Sequence, residues 1–306
     1  MNDKKNENPD IENNPLSMDN LMNKIGKLLE DKNFESPEER EKFIRENIIG
    51  KSVDSINVQE TPEMKAWNKI EKAYNSPPEE GEKLAKEALE IYPNCADAYN
   101  YLANISEDIN QEKEYYQKAI EVAKDELGEE FEELKGHFWG LTETRPFMRA
   151  KLGYAQVLEY QYKIDEAIKI YQELLELNPN DNQGVRYLLM PLLLETNRLK
   201  EYKKLYDQYN ESSTQFLYNQ TLYSYKKYGG VKKTTQILRK AIQENPHVIP
   251  LLIGEKKMPE YLPDGYRIGE ESEAVVYVNE SLEAWLANQK ALGWLYSFWQ
   301  RYQNSN

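Results

Sequence analysis

The segment Asp165-Glu166-Ala167-Ile168-Lys169-Ile170-Tyr171-Gln172-Glu173-Leu174-Leu175-Glu176-Leu177-Asn178-Pro179 reads as an amphipathic helix stopped by a proline, and it returns elsewhere in the chain. Leu238-Arg239-Lys240-Ala241-Ile242-Gln243-Glu244-Asn245-Pro246 closes 67 residues after it, or two periods of about 34 residues. Ala85-Lys86-Glu87-Ala88-Leu89-Glu90-Ile91-Tyr92-Pro93 is a further copy. Each proline ends its helix because it lacks the amide donor and clashes with the preceding turn. A repeat of this length built from helix pairs predicts an α-solenoid, since one pair cannot bury its apolar stripe and stacked pairs can.

Five hairpins are expected, over residues 64–74 with 80–92, 96–105 with 111–124, 146–177, 182–195 with 199–209, and 213–228 with 231–244. The fold class is therefore all-α, an α-solenoid with helical caps at both ends. Residues 1–17 are too polar to offset the entropy of ordering and read as a disordered tail. Residues 18–61 read as two helices and a linker, the second helix opening at Ser36-Pro37-Glu38-Glu39 with a capping serine, a first-turn proline and acids at the positive helix end. The array spans 62–246, with its rhythm interrupted at about 125–145, and 247–306 forms a C-terminal helical cap. Within that cap Glu273-Ala274-Val275-Val276-Tyr277-Val278 has strand propensity. A helix is expected because its flanks are helical, and Trp285, Leu286, Leu292, Leu295, Phe298 and Trp299 recur at helical spacings.

In the third hairpin Gly153, Ala155, Ala167, Tyr171 and Pro179, and in the fifth Ala241 and Pro246, fall at the offsets of the tetratricopeptide repeat, and residues 64–246 resemble that family. Tyr154, Lys151 and Tyr202 depart from its pattern. The resemblance implies that first helices line a concave surface and second helices lie outside. Asn245-Pro246-His247-Val248, Glu273-Ala274-Val275 and Trp285 with Ala291-Leu292 resemble the corresponding region of suppressor-of-tumorigenicity tetratricopeptide proteins. Thr142-Glu143-Thr144-Arg145-Pro146-Phe147-Met148-Arg149 is similar to bacterial relatives of unknown role. That resemblance implies a repeat protein without catalytic activity.

A formal charge of −14 opposes binding to a nucleic-acid backbone, which runs on clustered Lys and Arg. A basic protein or peptide is the easier electrostatic match, and self-association is compatible with the pattern. The first residues lack the apolar stretch of a signal peptide and no segment has the length to cross a bilayer, so no membrane partner and a cytoplasmic location are expected. Cys95 is the single cysteine, which excludes an intrachain disulfide. The abundance of Asn, Lys, Glu, Ile and Tyr fits an AT-rich bacterial genome.

The chemistry of catalysis is sparse, and neither a cofactor nor a metal site is expected. Gly50-Lys51-Ser52 lacks the earlier glycine of a phosphate loop, Arg45 standing in its place. His137 and His247 are the only histidines, and neither has a second ligand at metalloenzyme spacing. The insertion gathers His137, Phe138, Trp139, Glu143 and Arg145, which reads either as a binding hot spot or as a plug between unevenly spaced hairpins.

The register set by Pro179 and Pro246 places Asn100, Asn104, Arg149, Gln156, Tyr160, Gln183, Arg186, Tyr187, Asn219 and Tyr223 on the concave side. These amides, guanidinium groups and phenols suit an extended peptide with a carboxylate. The expected function is thus a non-enzymatic scaffold binding a protein or peptide segment. The rivals are a regulator that changes shape on binding a peptide, and an enzyme using His137, Glu143 and Arg145. Replacing Arg149 and Arg186 by alanine is expected to weaken capture and spare stability.

Overall fold

The computed structural model describes residues 16–30, 32, 34–49 and 60–304. The expected linker falls mostly outside them, as do the tail residues 1–15. Sixteen α-helices follow one another with no strand among the described residues, and the segment with strand propensity lies inside a helix. By internal contacts the described residues form two compact units, those up to 163 with 176–179, and 164–175 with those from 180 on.

The first unit holds α1 (Ser17–Glu30), α2 (Pro37–Asn47), the hairpin α3 (Pro62–Tyr74) and α4 (Pro78–Ile91), the hairpin α5 (Ala96–Asn104) and α6 (Ile109–Leu127), the short α7 (Glu130–Glu133), and α8 (Arg145–Tyr160). Local chemistry sets the ends. The Ser36 and Thr61 side chains accept the amides of Glu39 and Met64, and Pro37 and Pro62 take the first helical turn, where a missing donor costs nothing. The first helices α3, α5 and α8 pack on one another, α3 on α5 and α5 on α8, which is the stacking of a solenoid. Ala66, Ile70 and Ala73 of α3, Ala85 and Ala88 of α4 and Ala98 of α5 are fully buried.

Small residues here serve close approach. A Cβ on Gly153 of α8 would meet the Tyr116 ring of α6 at 2.2 Å, and one on Gly81 of α4 would meet the Tyr101 hydroxyl of α5 at 1.7 Å. Each glycine therefore seats a tyrosine of a neighbouring helix. The insertion is packed as a plug: Phe138 is fully buried, and its ring lies 5.0 Å from Phe131 and 5.9 Å from Phe147 in edge-to-face contact.

The second unit holds α9 (Ile164–Leu177, its last residues counted with the first unit), α10 (Val185–Glu195), α11 (Leu199–Tyr209), α12 (Thr214–Tyr228), α13 (Lys232–Glu244), the short α14 (Val248–Leu252), α15 (Glu271–Leu286) and α16 (Gln289–Gln303). Here α10 pairs with α11 and α12 with α13, and α10 stacks on α12. The run Leu188-Leu189-Met190-Pro191-Leu192-Leu193-Leu194 is apolar all round because α10 is packed against α11, α12 and α15. Tyr202, at a position where a small residue is expected, is fully buried and stacks on Tyr223 with ring centres 4.9 Å apart. The aromatic pair fills the space that small residues would otherwise close.

Gly153→Val should lower stability by about 1–3 kcal/mol through overpacking against Tyr116, read as a shift in the urea midpoint. Gly140→Ala, where an added Cβ meets nothing within 4 Å, should leave the midpoint in place.

Candidate functional site

Each unit presents a face made of its first helices, and the two faces are finished differently. In the second unit that face belongs to α15, which packs on α10, α12 and α14. Its Tyr277, fully buried, donates to Asn219 Oδ1 at 3.2 Å and accepts from Trp285 Nε1 at 2.9 Å. Its Glu273, 2% exposed, accepts from Thr214 Oγ1 at 2.9 Å, Asn245 Nδ2 at 3.1 Å and the Gly269 amide at 2.8 Å. A carboxylate so buried is tolerable because three donors replace its water.

The residues placed on the concave side by sequence are therefore spent in this unit. Asn219 lies at 0% exposure under α15, and Tyr223 turns onto Tyr202. Arg186 donates to Asp181 Oδ2 at 2.7 Å, Glu211 Oε1 at 2.6 Å and the Tyr187 hydroxyl at 2.8 Å, with its guanidinium 4.3 Å from the Tyr187 ring centre. Tyr187 in turn donates to Glu211 Oε2. Asp181 also caps α10 by accepting the Val185 and Arg186 amides. Burial alone would lower the Arg186 pKa, but these anionic partners raise it above its ordinary value. Gln183, half-buried, sits in the turn before α10. This is a structural brace, with no guanidinium edge left for a peptide carboxylate.

In the first unit Arg149 forms a fork with Asp97, Nε to Oδ1 at 3.0 Å and Nη2 to Oδ2 at 2.8 Å, while Nη1 donates to Asp19 Oδ2 of α1 at 2.8 Å. Burial again opposes the charge, and the two carboxylates raise the guanidinium pKa overall. Asn100, 2% exposed, donates to Asp97 Oδ1 and to the Pro146 carbonyl. Asn104 accepts from the Tyr116 hydroxyl at 2.5 Å and donates to that of Tyr74 at 3.2 Å. Gln156 and Tyr160 stand exposed on α8, the latter at 75%.

The residues of the insertion separate. Arg145 donates to Asp19 and to the Trp139 carbonyl, and its guanidinium stacks 5.5 Å from the Trp139 ring centre. His137 is exposed, Phe138 is the buried plug, and Glu143 borders a pocket. His137 and Arg145 do not line that pocket, so the three groups proposed for catalysis share no reacting centre there.

That pocket, of about 640 Å³, was not foreseen from sequence. Its walls include Trp67, Tyr92, Asp19, Glu63, Asp97, Glu126, Glu129, Glu130 and Glu143, with Arg149 as the one cation among the described residues. Desolvation raises the Glu63 pKa, against the pull of Lys27. Glu126 keeps much of its surface in water, yet desolvation of its carboxyl, with Glu63 nearby, pushes it up to about 7. No group of His, Cys, Asp and Glu suited to a metal ion occurs among the described residues. Cys95, 1% exposed, has its thiol pushed up to about 12 by burial, which leaves it a packing residue rather than a nucleophile.

The expectation that Arg149 and Arg186 can be lost without harm to stability does not survive this geometry. Arg149→Ala strands Asp97 and Asp19, whose side chains are 5% and 7% exposed, and should cost about 3–5 kcal/mol. Tyr160→Ala should stay within about 0.5 kcal/mol, both read by chemical denaturation.

No family model and no curated protein matches this chain. Among solved structures it is similar to "Crystal structure of YrrB: a TPR protein with an unusual peptide-binding site", at 21% identity and a TM-score of 0.39, over 57% of this chain and 81% of that one. At that score the likeness carries no argument, and the all-α solenoid arrangement rests on the stacked helical hairpins themselves.

Proposed function

We propose that this chain is a protein-interaction scaffold that takes a partner segment on the first-helix face of its first unit, with a lysine or arginine of that segment seated in the acidic pocket. The observation that carries this reading is the pocket of about 640 Å³ walled by Trp67, Tyr92 and several carboxylates. Two aromatic walls and an excess of anions suit a cationic side chain, which gains from ring faces and from carboxylates in partly desolvated surroundings. The formal charge of −14 adds long-range attraction for the same partners. In the second unit α15 packs on the corresponding first helices α10 and α12.

Arginine-rich and lysine-rich peptides should bind the full chain more tightly than acidic peptides of equal length in fluorescence anisotropy. Glu63→Gln combined with Glu126→Gln should weaken that binding about tenfold, a loss of about 1.4 kcal/mol. Equal affinity for acidic and basic peptides would sink the reading.

The raised carboxyl of Glu126 sets the direction with pH. Between the ordinary carboxylate range and about 7 the free folded protein holds a proton that the unfolded chain has released, so stability falls as pH rises through that window. A bound cation prefers the ionised carboxylate, so affinity should climb from pH 6 to pH 8, with proton release on binding near pH 7 measurable by calorimetry in buffers of differing ionisation heat.

A further inference from the structure

The start of α1 lies in the first unit as a ligand would. Leu16, 2% exposed, joins the cluster of Ala66, Ile70 and Tyr101. Ser17 Oγ and Asn20 Nδ2 donate to the two oxygens of Glu71 at 2.9 and 2.6 Å, and Asp19 accepts from Arg149 and Arg145. Two turns on, Lys27 acts on the Glu63 carboxyl at the pocket wall. In the next turn Asn23 Oδ1 accepts from the Thr142 hydroxyl, but apolar burial is slight: among the described side chains of α1 only Asp19 and Asn20 are buried, and Met18 and Met22 are 54% and 49% exposed.

The repeats aim their side of this contact without help from α1. Arg149 is fixed by its fork on Asp97, and Arg145 by the Trp139 carbonyl and ring. The two N–H groups pointing at Asp19 would keep their place if Asp19 left. Open space of the pocket borders Asp19, Asn20 and Asn23 directly, so an incoming chain can reach the contact from one side.

We propose that α1 is an intrachain occupant of a helix-binding site, and that the partner which displaces it is a helix with the same pattern: an apolar residue, a carboxylate three positions later, and a lysine or arginine two turns beyond that. The carboxylate takes the N–H groups of Arg145 and Arg149, and the cation takes Glu63. This deepens the reading of the first unit as the binding face and rests on it.

The probe is a fluorescein-labelled synthetic peptide of residues 14–31, tested on the full chain. Asp19→Arg, which sets α1 against two arginines, should free the site and bind the peptide about tenfold tighter than the unaltered chain does. A peptide carrying the same Asp19→Arg change should bind neither. Equal affinity of the two chains, or no binding to an Asp19→Arg chain that keeps its helical circular dichroism and melting transition, overturns the displacement. Hydrogen exchange on the unaltered chain decides independently of whether that variant folds: saturating peptide should speed exchange of the α1 amides several-fold. A basic peptide that binds while the α1 amides stay protected leaves the pocket reading standing and removes α1 as competitor. Absence of binding by every basic peptide and by the α1 peptide removes both.

Discussion

A helical hairpin in water is left with an apolar face that it cannot cover from its own residues, and this constraint governs the chain from end to end. Stacking solves it between neighbours, through first-helix contacts such as α3 with α5 and α10 with α12. It leaves the face of the first helices to water or to another body. In the second unit the chain supplies that body itself as α15. Tyr277 and Trp285 are fully buried there, and the Glu273 carboxylate is satisfied by three donors. Lifting α15 away would expose these apolar surfaces to water and break the bonds from Thr214, Asn245 and the Gly269 amide to Glu273 and that of Tyr277 to Asn219 together.

The two arginines, Arg186 and Arg149, are held in different ways. Arg186 is closed in by Asp181, Glu211 and Tyr187, all of them within the second unit and near it in sequence. A buried ion pair adds little net stability over an apolar pair, but losing one partner is expensive, so such a knot fixes the turn into α10. Arg149 is different because its fork on Asp97 leaves Nη1 for a carboxylate from elsewhere. That third bond comes from Asp19, 130 positions away in the chain.

Sequence made the helices legible, because their ends are written locally. Pro93, Pro179 and Pro246 stand after helices, and Ser36 caps α2 by the bond its position implies. Small residues were legible as contact points, though not what they touch, since the Tyr116 ring reaches Gly153 from another helix. The candidate site was the least legible part. Whether Asn219 faces a groove or a core depends on α15, 58 positions away at Tyr277, and the period of the repeat says nothing about a segment outside it. Tyr223 was assigned by register to the groove, but Tyr202 at a supposed small position turned it into a stack. The pocket draws on α1, α3, α5, α6, α8 and the insertion together, so no local pattern could have announced it.

The two coverings differ in kind, and the difference follows from what each helix buries. On α15 the buried set includes Ala274, Val275, Tyr277, Val278, Ala284 and Trp285, a stripe running its full length. On α1 Leu21 and Ile25 are only half-buried, and the fully buried side chains next to Leu16 are polar. Apolar burial is worth about 25 cal/mol per Å² and accumulates along a helix, while hydrogen bonds and ion pairs made in place of water contribute little net. A helix held mainly by polar contacts is therefore specific in where it sits and weak in how firmly. Those are the properties of an exchangeable ligand, whereas the long stripe of α15 has those of a structural element.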